Sequence, residues 1–184
     1  SGKAFLSSDY LFTNNSSDNK KVTGVMITQK RRAGKLFIFL FLISLLLSYI
    51  GIFSIENSTI MPNYFIALII SFIIANQANL NLYRLLFIGL GVDILAGQLI
   101  GQYALIFITI YIFDLLIKKI FVIKYNKQKE SLSAALILLS FIILWITSKN
   151  YEIFIPFKTL LFQSVLTFIT YLIFRVIINK YISR

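Results

Sequence analysis

Asp93 is the side chain best placed to do chemistry, because of what surrounds it. It is the one carboxylate in the apolar stretch GLGVDILAGQLIGQYAL, residues 89–105. The sequence around it is apolar enough to lie in a bilayer. A charge there costs roughly 2.5–3.5 kcal/mol at a helix centre. Such a group serves as an ion or proton site or a ligand contact, or it is a structural carboxylate bonded to a neighbouring helix. Gly89, Gly91, Gly97 and Gly101 accompany it. Positions 89, 93, 97 and 101 are spaced by four, so on one continuous helix they form a single stripe. Small residues in a membrane helix allow close backbone approach by a neighbour. The expected role of these five residues is a packed structural core on which a partner docks.

Other chemistry has little to work with. The chain has no cysteine and no histidine. That removes disulfides, thiol nucleophiles, zinc sites and imidazole catalysis. Asp114 stands four residues before Lys118, the spacing of an ordinary helical ion pair at the membrane surface. Asp93 and Asp114 would lie ~30 Å apart on a single rod, too far for an aspartyl dyad. Asp93 is therefore expected to be the only charge deep in the bilayer. Arg175 is expected to snorkel to the interface. The reading is a protein that is not an enzyme, with no metal and no cofactor.

The elements that must position Asp93 are read from hydropathy. The 184 residues are 58% hydrophobic with a mean hydropathy of +0.84, too apolar for a soluble domain of this length. Residues 1–35 read as a polar, disordered cytoplasmic segment, partly of cloning origin, with the natural start expected at Met26. Residues 36–184 read as a transmembrane domain. Its spans fall at about 36–55, 62–76, 82–96, 99–117, 131–148 and 156–180. Pro62 suits the first turn of the second helix, where its missing N–H does no harm. Trp145 suits an interface.

The net charge is +11. No nucleic-acid recognition motif accompanies it, so the lysines and arginines are assigned to cytoplasmic anchoring rather than to nucleic acid. Lys30, Arg31, Arg32, Lys35, Arg84, the five lysines of 118–129 and Lys180 to Arg184 share one side if all six segments cross. Only Lys149 and Lys158 then face outward. The expected fold is an all-α bundle of six transmembrane helices with both termini in the cytoplasm.

The segments MPNYFIALIISFIIAN at 61–76 and LYRLLFIGLGVDILAGQLIGQYALIFITIYI at 82–112 resemble the MreD family of rod-shape-determining proteins. The pattern G-x-x-x-D-x-x-x-G-x-x-x-G-x-x-A-L falls on Gly89, Asp93, Gly97, Gly101, Ala104 and Leu105, and the family's proline on Pro62. The resemblance implies a non-catalytic scaffold of the bacterial cytoplasmic membrane. Its implied partner is the membrane protein MreC. Through MreC it would connect to the actin-like MreB, to RodA and to a penicillin-binding protein in peptidoglycan synthesis. The family is similar in helix count and size to the substrate-binding subunits of energy-coupling-factor vitamin transporters. The alternative reading is therefore a small-solute carrier, with Gln98, Gln102, Tyr103, Asn150 and Tyr151 as candidate pocket residues.

Overall fold

A computed structural model describes residues 32–48, 54–55, 58–59, 61–75, 80–95, 99–120, 126–150 and 156–182. Six helices lie among them: α1 over 32–48, α2 Tyr64–Ala75, α3 Leu82–Leu95, α4 Gln102–Ile120, α5 Asn126–Asn150 and α6 Phe157–Ile182. A two-stranded antiparallel ladder, β1 Ser54–Ile55 with β2 Ser58–Thr59, sits between α1 and α2. Its register pairs Ser54 with Thr59 and Ile55 with Ser58. The first span was expected to stay helical to Ile55; Ser54 and Ile55 pair as a strand instead. The fifth helix starts at Asn126 rather than near 131, because Lys, Gln and Glu are good helix formers whatever their charge.

The side-chain contacts fix the direction of the helices. Phe37 meets Phe72 edge-on at 5.1 Å and Phe41 meets Phe65 at 5.6 Å, so α1 and α2 run antiparallel. Gln102 at the start of α4 bonds Thr147 near the end of α5. Glu130 near the start of α5 pairs with Arg175 late in α6. The bundle therefore has two distinct ends. One gathers the last turns of α1, α3 and α5 with the first turns of α2, α4 and α6. The other gathers the opposite turns, and with them Arg32, Lys35, Arg84, Lys118, Lys119, Lys127, Lys129, Arg175 and Lys180. We call these the cavity end and the basic end.

α2 is the axis of the bundle. Every residue from Phe65 to Ile74 is buried, and there is no polar face on the helix to turn outward. α3 is peripheral and packs chiefly on α4. Its Leu85, Gly89, Val92 and Asp93 face inward, while Tyr83, Phe87 and Ile94 are exposed. Two stretches, Lys127–Lys149 in α5 and Phe157–Tyr181 in α6, are long and apolar enough to cross a membrane. α2 has 12 residues. That is ~18 Å, well short of a ~30 Å hydrocarbon core, so its terminal peptide groups need partners from the protein.

Candidate functional site

The region around Asp93 is built from broken helices. α3 ends at Leu95 and α4 begins at Gln102, so positions 89, 93 and 101 do not share one helix. Gly97 and Gln98 lie outside the described residues, as does Tyr151. Gly101 has φ of +94°, a left-handed conformation that costs an L side chain and suits glycine at this turn. That turn folds α4 back along α3. The spacing of four therefore marks two helices joined by a turn, in line with the separate spans read at about 82–96 and 99–117, and not one stripe.

Asp93 is fully buried and holds the start of α4. Its Oδ2 accepts the Gly101 N–H at 2.8 Å and its Oδ1 accepts the Tyr103 N–H at 2.8 Å. The Gln102 N–H goes to the Leu99 carbonyl at 3.0 Å. The first N–H groups of a helix have no partner within it and carry partial positive charge. A carboxylate from the preceding helix satisfies two of them with charge-assisted bonds. This explains how an acid is tolerated inside an apolar bundle without a basic side chain.

Gly89 completes the junction. A Cβ placed on it would fall on the Ala104 backbone, meeting the Ala104 Cα and, at 2.6 Å, its nitrogen. α3 and α4 approach so closely there that only glycine fits. Gly91 differs from the close-packing role expected of it, since nothing lies within 4 Å of where its Cβ would be. Gly101 also has open space around it and is set apart by its φ instead. Ala104 is buried against α3, whereas Leu105 beside it is exposed.

Pro62 does not open the second helix. Asn63 is the N-cap, and Pro62 precedes it. Asn63 Oδ1 accepts the Ile66 N–H at 3.2 Å, and its carbonyl accepts the Ala67 N–H at 3.1 Å. The same residue ties three helices together. Its Nδ2 donates to the Tyr103 hydroxyl at 2.7 Å, and its backbone N–H donates to Thr167 Oγ1 at 2.9 Å. Asn63 was readable as the residue after a proline before an apolar run, which is an N-cap signal. Its reach to Tyr103 and Thr167 had no signal in the sequence.

A cavity of about 320 Å³ opens beside this network at the cavity end. Asn63, Gln102, Tyr103, Ser148 and Gln163 contribute polar groups to its wall, and Leu45, Phe65, Leu95, Leu144 and Leu160 contribute apolar ones. Gln102 Nε2 donates to Thr147 Oγ1 at 2.6 Å. Of the pocket candidates drawn from the sequence, Gln102 and Tyr103 line it.

At the basic end a second carboxylate, Asp114, is also buried within the protein, at 2% exposure. It does pair with Lys118, at 2.7 Å. Lys118 Nζ also donates to the Ile73 carbonyl at 3.3 Å, in the last turn of α2, where carbonyls lack helical partners. Arg175 Nη1 donates to Glu130 Oε1 at 2.7 Å at the same end. Asp114 lies eleven residues beyond Tyr103, ~17 Å along α4, so the two acids form no shared site.

A family model described as rod shape-determining protein MreD matches residues 30–183. The chain belongs to the MreD family. The match spans all six helices as well as the Asp93 junction. No curated protein and no solved structure matches the chain. The MreD family is one of bacterial membrane proteins that determine rod shape, and it is not a known enzyme family. The apolar helices described above fit that assignment.

Proposed function

We propose that this MreD-family chain is a rigid membrane scaffold of the rod complex that binds MreC and, through it, connects MreB, RodA and a penicillin-binding protein. All six helices cross the cytoplasmic membrane in this reading. The basic end and both termini face the cytoplasm, and the cavity end faces outward. The excess of lysine and arginine at one end supports that orientation. The observation that carries the scaffold reading is the burial of Asp93 with both oxygens taken by backbone N–H groups of Gly101 in the turn and Tyr103 in α4. A carboxylate committed in this way is unsuited to carrying a proton or ion, and well suited to fixing the shape of the α3–α4 pair.

The test is co-purification from a rod-shaped bacterium. MreC is expected with the wild-type chain and is expected to be lost with Asp93→Leu and with Gly89→Leu. Normal complex formation and normal rod shape in both variants would refute the scaffold. Orientation is tested separately. The chain has no cysteine, so Asn126→Cys reports its own side, and labelling by an impermeant reagent from outside would overturn the topology. The cavity lined by Gln102 and Tyr103 favours a second reading, a small-solute carrier. Solute flux in vesicles containing only this protein would support it over the scaffold.

A further inference from the structure

The cavity has a wall chemistry that narrows what it can hold. None of its lining residues carries a charge. Lys149, beside the lining residue Ser148, has its Nζ over the Trp145 ring at 5.7 Å. Asp93, which holds the start of α4 behind the lining residues Gln102 and Tyr103, is occupied by backbone N–H groups. Among the described residues that line the cavity, a phosphate or carboxylate would lose its hydration without gaining a cation, and an ammonium would find no anion to pair with, at a cost of several kcal/mol or more. A charged solute is disfavoured on both counts.

The polar groups that remain are amides and hydroxyls. Gln163 lines the cavity with a whole side-chain amide, a donor and an acceptor on one flat group. Gln102 gives one N–H to Thr147 and keeps its carbonyl oxygen. The Tyr103 hydroxyl accepts from Asn63 and still has its own proton to donate. Phe65 and Tyr103 stand edge to face with ring centres 6.2 Å apart, both at the wall. Apolar walls with a few convergent hydrogen-bonding groups are the usual composition of a small-molecule site, and 320 Å³ lies at the low end of the usual size range.

We propose that the cavity is a binding site for a neutral, flat, hydrogen-bonding ring compound of nucleoside size. The amides of Gln102 and Gln163 would bond its polar edge, and Phe65, Leu144 and Leu160 would cover its faces. The inference shares its cavity with the small-solute reading but does not depend on transport, and it does not depend on MreC. Binding without flux keeps it and removes the carrier. Loss of MreC binding leaves it untouched.

The experiment uses the full chain in lipid nanodiscs, with uridine and adenosine as neutral probes and their 5′-monophosphates as charged counterparts. Binding is followed by thermal shift and by equilibrium dialysis. At least one nucleoside is expected to bind and to raise the melting temperature, while its monophosphate at equal concentration does not. Gln163→Leu is expected to weaken that binding about tenfold, the equivalent of one hydrogen bond. Leu160→Trp, which fills the cavity, is expected to abolish it. Helix content and melting temperature without probe show whether either variant still folds. The proposal is overturned if neither nucleoside binds the wild-type chain, or if the monophosphates bind as well as the nucleosides. Equal nucleoside binding by folded Leu160→Trp also overturns it.

Discussion

Asp93 and Asp114 are both buried carboxylates in the α3–α4 region, but their partners differ in kind. Asp93 reaches from α3 to backbone N–H groups of the next helix and its turn, and both its oxygens are used. Asp114 reaches only to Lys118 on its own helix, and its Oδ1 has no hydrogen-bond partner. Backbone groups cannot move away to find water. A lysine can, and the Lys118 side chain is already 34% exposed. The cavity end is therefore held by bonds between elements that cannot be replaced. At the basic end, Asp114 acts through Lys118, steering its ammonium to the Ile73 carbonyl at the end of α2.

The largest expected effect follows from that difference. Asp93→Leu leaves the Gly101 and Tyr103 N–H groups unpaired, which costs roughly 3–5 kcal/mol at 1–3 kcal/mol per buried group plus lost charge assistance. Asp93→Asn keeps one acceptor and should lose about half as much. Unfolding in detergent, followed by circular dichroism, measures both. If Asp93→Leu proves no more costly than Asp114→Leu, the contrast between the ends is wrong. Gly89→Ala comes next, at about 1–3 kcal/mol, the range for forcing atoms into a filled interior. Because the clash is with the Ala104 backbone, Ala104→Gly in the same chain should not rescue it. Recovery in the double variant would show that the helices are less tightly apposed at this point.

The sequence made much of this region legible, including the break between the two helices but not the turn that folds one back on the other. The residue types of the Asp93 junction, acid and glycine in an apolar run, announced a packed structural core. A spacing of four fits a stripe on one helix, and it fits equally a helix that turns and returns. Hydropathy separates the two spans, but the left-handed Gly101 that turns α4 back along α3 is not distinguishable in the sequence from a packing glycine. The Asp114–Lys118 pair was legible from its spacing, but the burial of Asp114 was not. A carboxylate four residues before a lysine is the usual surface pair, and nothing local shows that α2 ends beside it. The start of α5 was misplaced because charge was taken to mark a loop, although Lys, Gln and Glu extend a helix readily. The cavity is lined from all six helices and has no signature in any one of them.

At the basic end the effects should be smaller. Asp114→Leu frees Lys118 to extend to water, and Lys118→Met leaves the Ile73 carbonyl to find another donor. Each is expected to cost about 1 kcal/mol, the scale of a single net hydrogen bond or a half-exposed ion pair. A double-mutant cycle on the pair should return a coupling of similar size, because each variant removes the same Asp114–Lys118 contact. A coupling near zero would mean that Lys118 is held by Ile73 alone. A coupling of several kcal/mol would make the two ends alike, and the contrast drawn from their partners would fail.

The smallest expected effect is the sharpest test of the packing argument, because it uses the same helix and the same residue type. Gly89 and Gly91 are two residues apart on α3, yet a Cβ at 89 meets the Ala104 backbone and a Cβ at 91 meets nothing within 4 Å. Alanine in the interior of a helix is favoured over glycine by about 0.8–1 kcal/mol from backbone entropy. Gly91→Ala should therefore be neutral or slightly stabilising in the same detergent unfolding measurement that shows Gly89→Ala to be costly. MreC recovery with Gly91→Ala then separates two roles. Unchanged stability with unchanged recovery leaves Gly91 outside the core that holds the fold. Unchanged stability with lost recovery would show that the open side of α3 faces a partner helix, since the added methyl touches nothing within this chain. A large loss of stability would mean that α3 lies closer to a neighbour than the Gly89–Ala104 contact alone requires.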